Sequence, residues 1–337
     1  MYESIEQLVR RNSLNKQLTE NNKKIINLER WLFKTYEPNK FGPDDFWERL
    51  AQWLDNVPSD SEKQLLIQLL LEVLYLGPVE FEELYRLAYQ GPIARWLIDI
   101  CQIDVFAPDG QQKLATVAGK TWFCPLTDSL HISTFFHLNN VASGSNFRPD
   151  WHSVKKFGDI ERIKEYCTKN DIKRLVLIED FVGSGSQTLS SVRFAATELP
   201  DLQVLFVPLV ICPKGGEMAR QLEAELCEKR AGALRFEATM ELSNDSFLTL
   251  HRSPYVEPNS YINALRNLII STYSKVSGGL LPTPKNAPYD PFGYPHGDPT
   301  GGLVVMHSNT PNNTLPLIHW CPPERTWHPI FPRHNRM

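Results

Sequence analysis

Length, composition and charge limit the class of protein first. The chain has 337 residues, 42% hydrophobic and 22% charged, which is typical of folded globular proteins with about two domains. The net charge of -4 gives no strongly basic surface, so neither nucleic acid nor an anionic membrane is indicated as a partner. The six cysteines lack zinc-type spacing, and we expect them to be reduced.

The N-terminus and the apolar segments bear on location. No basic segment followed by an apolar run opens the chain, so we expect no secretory signal and predict a cytoplasmic protein. The most apolar helical candidate covers residues 65–76, about 12 residues against the roughly 20 that cross a bilayer. No membrane span is predicted.

Residues 1–110 are predicted to form a helical N-terminal region. Ser59 and Glu62 have the spacing of a capping box before an apolar run, and Gly77-Pro78 is typical of a helix end. A second helix is predicted over residues 80–90. We expect the region to cover the next domain as a helical layer, with a partner-docking module as the alternative.

Residues 111–275 change to short apolar segments that alternate with polar helical segments. Strands separated by helices of roughly 10–15 residues indicate β-α-β units, so we predict an α/β domain with a parallel sheet. The predicted strands cover residues 121–126, 174–178, 202–212 and 234–240. The predicted helices cover residues 128–139, 160–170, 188–198 and 217–229.

Residues 276–337 form a C-terminal extension that is rich in proline and glycine. It closes with apolar segments at residues 302–307 and 315–320, on either side of an Asn/Thr-rich turn at 309–314. These segments predict a β-containing extension with a possible hairpin.

The most informative segment follows the predicted strand at residues 174–178. Glu179 and Asp180 come first, and then a Gly/Ser-rich loop at 183–186 leads into a helix. Glycines let backbone N–H groups approach a phosphate, serine hydroxyls donate further hydrogen bonds, and the helix presents the positive end of its dipole. Carboxylates at the carboxyl edge of a parallel sheet suit sugar hydroxyls. The segment therefore predicts a site for a phosphorylated sugar.

Other motifs explain this segment less well. A Walker P-loop requires a lysine in the loop, and none follows Gly185. A dinucleotide-binding fingerprint requires a third glycine, and here the acids precede the loop. The remaining alternative is an ordinary turn between strand and helix in which Glu179 and Asp180 solvate the sheet edge.

The same run resembles the signature of the type I phosphoribosyltransferase family: four apolar residues, two acids, two apolar residues and a Thr/Ser-Gly loop. The resemblance implies a Rossmann-like parallel sheet and a reaction that uses 5-phosphoribosyl-1-pyrophosphate (PRPP) with Mg²⁺ to exchange pyrophosphate for a base. It implies that Glu179 and Asp180 are the catalytic pair and bind the ribose hydroxyls. Mg²⁺ would be held mainly by the ligand, with these two acids as the possible protein ligands. The implied 5'-phosphate loop consists of Gly183, Ser184, Gly185, Ser186, Gln187 and Thr188.

Two further parts of the site follow from the resemblance. Thr127, Asp128 and Ser129 stand where the family places its pyrophosphate loop, although a simple helix cap explains them equally well. Lys214 stands where purine-specific members use a lysine to bind a base carbonyl. The alternative for Lys214 is an ordinary turn with the two glycines that follow it.

Two further features affect the expected activity. One is the mobile hood that the resemblance implies, and the other is a set of departures from the family pattern. Arg148, Lys155 and Lys156 lie in or near a polar segment that could form the mobile hood, or they are solvated charges. Gly183 replaces the Asp or Thr of many members, and Gln187 replaces a Thr. A proton acceptor and a phosphate-binding hydroxyl are therefore absent, and activity is left open.

Over a wider span, residues 309–316 and Trp320 together with the glycine-containing loop resemble bacterial conflict- or antiphage-associated phosphoribosyltransferase-like proteins. This resemblance implies an enzyme of antiviral defence that binds PRPP or a nucleotide. The alternative is a non-catalytic sensor of PRPP or nucleotide that regulates a partner protein of a defence system.

Overall fold

The chain forms two compact units. The terminal unit combines Met1–Val79 with Asn244–Met337, and the central unit is Glu80–Ser243. This grouping by packing cuts across the three segments predicted from composition, because residues 80–110 pack within the central unit. The computed structural model describes residues 5–12, 15–37, 43–127, 129–141, 160–186, 188–243, 260–279, 289–293 and 301–333.

Helices and short strands alternate along the chain. The helices are α1 (Ile5–Arg11), α2 (Lys16–Trp31), α3 (Phe46–Asp55), α4 (Asp60–Leu71), α5 (Pro78–Ala88), α6 (Ala94–Cys101), α7 (Gly110–Gly119), α8 (Ile132–Leu138), α9 (Ile160–Lys169), α10 (Thr188–Glu198), α11 (Pro213–Lys229), α12 (Ser260–Val276) and α13 (Pro316–His319). The strands are β1 (Leu74–Leu76), β2 (Trp122–Pro125), β3 (Arg174–Val182), β4 (Gln203–Ile211), β5 (Arg235–Phe236), β6 (Met240–Glu241) and β7 (Val304–Met306). In the described part of the chain, no helix has both the length and the apolar character needed to cross a membrane.

The central unit is built on a parallel sheet with the strand order β2-β3-β4-β5, in which β6 also pairs with β4. The longest pairing joins β3 and β4, from Arg174 opposite Gln203 to Val182 opposite Ile211. A single helix connects β3 to β4 and another connects β4 to β5, which is the β-α-β arrangement. The predicted α/β domain with a parallel sheet is confirmed.

The two faces of this sheet are covered by different helices. Side chains alternate along a strand, so Leu175 and Leu177 share one face, where they pack with Val192 of α10 and Leu222 of α11. On the other face, Phe123 contacts aromatic rings from the helical segments on either side of it in sequence. Its ring centroid lies 5.5 Å from that of Phe135 and 6.5 Å from that of Tyr89.

The strand predicted over residues 234–240 is divided into β5 and β6, and Pro208 gives the reason. The amides of Glu237 and Thr239 donate to the carbonyls of Phe206 and Pro208, at 3.1 and 2.9 Å. Pro208 itself has no N–H to return to the neighbouring strand. The hydrogen-bonded ladder is therefore incomplete between Phe236 and Met240.

The terminal unit brings the two ends of the chain into one apolar core. Strand β1 pairs in parallel with β7, with Leu74 opposite Val304. The indole nitrogens of Trp53 and Trp327 both donate to the carbonyl of Leu317, at 2.9 and 2.8 Å. The core therefore depends on residues that are more than two hundred positions apart in the sequence.

The Asn/Thr-rich turn is part of this core. Thr310 and Thr314 are buried, and their hydroxyls donate to the backbone carbonyls of Phe331 and Val304. The hydroxyl of Tyr289 donates to Asn312 at 2.7 Å. The two threonine hydroxyls therefore satisfy backbone carbonyls, as the side chains of an ordinary turn do.

Two predicted elements need correction. The possible hairpin is wrong: β7 pairs with β1, and Pro316–His319 is helical because Pro316 starts a helix with its fixed φ. The apolar run at residues 65–76 is also not one helix. Its helix ends at Leu71, and the rest forms β1 before Pro78 starts α5. The capping box of Ser59 and Glu62 is confirmed.

Arg49 joins α3 to the C-terminal tail inside this unit. The side chain is only 1% exposed, and its guanidinium donates to the carbonyl of Ile330 at 3.0 Å. It also donates to the carbonyls of Pro43 and Asp44, at 2.9 and 2.7 Å. Burial lowers the pKa of Arg49, and the three carbonyls offset part of the cost of burying its charge.

We expect Arg49→Met to lower the free energy of unfolding by about 2–4 kcal/mol, because three carbonyls lose their donor. Urea unfolding followed by tryptophan fluorescence measures this change. Arg30→Met is the control, since Arg30 is exposed and stacks on Trp31, and it should cost no more than about 1 kcal/mol. Equal effects of the two substitutions would contradict the role given to Arg49.

Candidate functional site

The two acids lie within strand β3, near its carboxyl end. The strand continues to Val182, beyond the predicted end at residue 178, and Glu179 and Asp180 are only 4% and 8% exposed. Because side chains alternate along a strand, the two carboxylates leave opposite faces of the sheet. Asp180 accepts a hydrogen bond from the amide of Phe181 at 2.7 Å. Glu179 and Asp180 therefore lie on opposite faces of the sheet, near its carboxyl edge.

Strand pairing brings the predicted pyrophosphate segment to the first acid. Pro125 lies opposite Ile178, and the hydroxyl of Thr127 donates to Glu179 Oε1 at 3.0 Å. The hydroxyl oxygens of Thr127 and Ser129 are 2.7 Å apart. Helix α8 begins after these residues without a side-chain cap. Thr127 therefore contacts both the acid and Ser129, and neither hydroxyl caps the helix.

The Gly/Ser loop turns directly into the N-terminus of α10. Gly185 has a φ of +81°, a left-handed conformation that favours glycine, and its carbonyl accepts from the amide of Leu189 at 2.9 Å. The hydroxyl oxygens of Ser184 and Ser186 are 3.3 Å apart. Thr188 is the first residue of α10. A loop with this arrangement can surround an anion with hydroxyls and backbone N–H groups.

Several predicted site residues lie outside the described residues. They are Asp128, Gln187, Arg148, Lys155 and Lys156.

Gly215 is a part of the site that the sequence analysis missed. It belongs to the first turn of α11, where a turn had been the alternative for Lys214. A Cβ at Gly215 would lie 2.5 Å from the carbonyl oxygen of Gly183 and 3.1 Å from Val182. The first turn of α11 therefore packs closely against the Gly/Ser loop. The sequence does contain a sign of this close packing, because two consecutive glycines, Gly215 and Gly216, lie near the start of a helix.

Lys214 is next to this contact and is paired within its own helix. Its Nζ lies 3.6 Å from Glu217 Oε2, and both side chains are about half exposed. Exposed pairs of this kind contribute about 0–1 kcal/mol, so a ligand can compete for the lysine. Its role in binding a base stays a prediction.

Tyr85 is a second residue that the sequence analysis missed. This phenol from α5 is buried, and its ring centroid lies 6.1 Å from that of Phe135. Burial and the charge of Asp180 raise the pKa of Tyr85 to about 12, while a hydrogen bond with the backbone of His131 lowers it. The phenol therefore lies within electrostatic reach of the second acid. No sequence motif marks it, because a tyrosine on the apolar side of a helix is common.

The donor set is compatible with Mg²⁺ bound together with a phosphorylated ligand. Within the described ranges, no three His, Cys, Asp or Glu side chains gather into a cluster that could hold a metal by themselves. Magnesium usually binds one or two carboxylates, substrate phosphates and water. Glu179 and Asp180 are the carboxylates that could take this part, and the ligand would supply the other oxygens.

These features together define a phosphoribosyltransferase-like α/β domain: a parallel sheet, two acids at its carboxyl edge, and a glycine-dependent loop at a helix N-terminus. A sequence model of the PRTase-CE family, a phosphoribosyltransferase-like family, matches residues 50–333. The match covers most of the chain, and the chain belongs to this family. The predicted resemblance is thereby confirmed, and membership suggests a phosphoribosyltransferase-type function. No curated protein and no solved structure matches the chain.

We expect Gly215→Ala to destabilise the central unit by about 1–3 kcal/mol, because the added methyl group overlaps the carbonyl of Gly183. Urea unfolding measures the change. Gly119→Ala is the control, since a Cβ there meets no atom within 4 Å and the residue ends α7. If both variants were equally stable, the contact between α11 and the loop would not be close.

We expect the ionisation of Tyr85 to respond to Asp180. The raised pKa means that the folded state holds the phenol proton more tightly than the unfolded chain, so this contribution to stability is complete below pH 10.0 and is lost as the pH rises to about 12. Ultraviolet titration should show one late-ionising phenol fewer in Tyr85→Phe. Asp180→Asn should lower the pKa of Tyr85 but not that of Tyr36, whose pKa of about 12 is due mainly to burial. An unchanged pKa of Tyr85 in Asp180→Asn would contradict this coupling.

Proposed function

We propose that this protein binds a 5-phosphoribosyl ligand, PRPP or a nucleotide, together with Mg²⁺, and transfers or releases the phosphoribosyl group. One observation carries the proposal. Glu179 and Asp180 are buried near the carboxyl end of β3, shortly before a loop that contains the left-handed Gly185 and leads to α10. Carboxylates next to an anion-binding helix N-terminus match a ligand that has both sugar hydroxyls and a phosphate.

Each part of the ligand has a counterpart in the protein. The hydroxyls of Ser184 and Ser186 and the first N–H groups of α10 would hold the 5'-phosphate. Glu179 and Asp180 would accept hydrogen bonds from the ribose hydroxyls, and such bonds to a charged acceptor are short and strong. On ligand binding, the hydroxyl of Thr127 would turn from Glu179 to a pyrophosphate oxygen on the same edge of the sheet, because it has only one proton to donate.

With PRPP, the proposed reaction breaks the bond between ribose C1 and a pyrophosphate oxygen, a base nitrogen or water forms the new bond to C1, and the proton of this nucleophile passes to pyrophosphate or solvent. With a nucleotide, the bond between C1 and the base breaks, water forms the new bond, and its proton passes to the departing base or solvent. Gly183 offers no proton acceptor, so the residues of this site act mainly by positioning and by charge. The carboxylates of Glu179 and Asp180 would stabilise the positive charge that develops on the ribose as pyrophosphate leaves. Mg²⁺, when bound, would neutralise charge on the phosphate oxygens of the leaving group.

A non-catalytic sensor of PRPP or nucleotide is the second candidate. Two observations favour it: glycine replaces the family's acid or threonine at position 183, and glutamine replaces its threonine at position 187. In that case ligand binding would regulate a protein partner. For both candidates we propose a cytoplasmic location. We also propose a setting in bacterial antiviral defence, which rests on the resemblance of residues 309–316, Trp320 and the glycine-containing loop. Loss of phage protection on Asp180→Asn in a host that carries the system would support this setting.

The test is calorimetric titration of the full chain with PRPP and with nucleoside monophosphates, with and without Mg²⁺. We expect Glu179→Gln and Asp180→Asn each to weaken binding by about 10-fold to 100-fold, the loss of a hydrogen bond to a charged group. Glu228→Gln is the matched control, since this exposed carboxylate on α11 should not affect binding. The amide variants keep the shape of the acids, so circular dichroism should show an unchanged fold.

Product analysis then separates the two candidates. Release of pyrophosphate or base by the wild type, lost in Asp180→Asn, identifies an enzyme. Binding without turnover identifies a sensor. If the folded wild type binds none of these ligands, the phosphoribosyl proposal is wrong.

A further inference from the structure

A cavity of about 510 Å³ lies in the terminal unit, between α2 and α4. Its volume falls within the roughly 300–1,000 Å³ of small-molecule sites. None of the residues that line it belongs to the phosphoribosyl site. Helix α2 contains most of an Asn/Lys-rich segment, residues 15–24, and the proposed function gives this segment no role.

Amide side chains dominate the walls of this cavity. Gln17, Asn21 and Lys24 are spaced so that they lie on one side of α2, and Gln68 faces them from α4. Asn27 adds a further amide. Each amide offers two N–H donors and a carbonyl acceptor. The walls therefore present donors and acceptors together, and they suit a ligand that has both along its edge.

Asn21 shows that this polar lining is built into the helix pair. The side chain is only 6% exposed, yet it lines the cavity. Its carbonyl oxygen accepts from Gln17 Nε2 at 2.8 Å, which fixes the direction of the amide. Among the described residues, no acceptor bonds the N–H groups of Asn21. A nine-tenths buried amide therefore presents fixed donors to the space between the helices.

The charges and the apolar residues of the cavity narrow the chemistry of the ligand. Lys24 and Glu72 supply one positive and one negative charge, so the lining gives an anion such as a phosphate no net attraction. Leu28 and Leu71 offer apolar surface to the face of a ring. A neutral, planar ligand with donors and acceptors along its edge fits both features. Nucleobases have this character, and asparagine and glutamine amides pair with their edges.

We propose that this cavity binds a neutral nucleobase or nucleoside, at a site separate from that of the phosphoribosyl ligand. The proposal stands without the proposed function, because it rests only on residues of α2, α4 and the turn after α4.

The test is calorimetric titration of the full chain with adenine, guanine, cytosine, uracil and their nucleosides. At least one should bind, and Gln68→Ala and Asn21→Leu should each weaken that binding about tenfold or more. Gln52→Ala is the matched control, since this glutamine of α3 bonds Glu48 and does not line the cavity. Gln68→Ala carries the test if Asn21→Leu fails to fold, because Gln68 is only partly buried.

The double variant Glu179→Gln/Asp180→Asn separates the two sites. Binding that persists in this variant and is lost in Gln68→Ala supports the cavity. Binding that is lost in the double variant and persists in Gln68→Ala places the base at the phosphoribosyl site and overturns the proposal. Absence of binding by all eight compounds also overturns it.

Discussion

The parallel pairing of β3 with its two neighbours determines what the carboxyl edge of the central sheet can hold. The register of β2 on β3 brings Thr127 to Glu179, and the register of β3 on β4 brings the loop after β3 to the helix after β4. Because the side-chain period of a strand is two residues, a shift of the β3 register by one residue would exchange the faces on which Glu179 and Asp180 lie. The continuous apolar runs of β3 and β4, buried on both faces, hold this register.

The Gly/Ser loop at residues 183–186 also depends on backbone geometry that only glycine permits. Gly185 takes a left-handed conformation, and Gly215 has no side chain where the carbonyl of Gly183 approaches. One glycine thus permits the turn and the other permits its support. The loop is held by α11 from one side and continues into α10 on the other. A binding loop held in this way is organised before its ligand arrives, which lowers the entropic cost of binding.

Sequence reasoning selected the residues of the candidate site because they are close together in the chain, and their roles in binding stay predictions. The acids, the loop glycine and the helix start are consecutive in the chain, and each has a direct physical meaning. Contacts between distant segments could not be predicted from the sequence. Tyr85 comes near Asp180 only when the chain is folded, and the residues around Tyr85 in the sequence give no sign of this. The same limit explains the error in the C-terminal extension. The apolar run at residues 302–307 was predicted to pair with the run at 315–320, whereas in the structure it contains β7, which pairs with β1. The division of the last strand depends on Pro208, which lies in a different strand.

The terminal unit draws its core from both ends of the chain, and this has a consequence for synthesis. Residues such as Phe33 and Trp53 pack against Ile318 and Phe331. A ribosome makes the chain from the N-terminus, so the first helices emerge long before the segment that buries their apolar side chains. The central unit has its whole sequence available earlier, and its sheet can form while the terminal helices are still unsatisfied. The helices made first are thus among the last to be completed, and in the interval the apolar side chains that the C-terminal segment will cover stay exposed on the nascent chain.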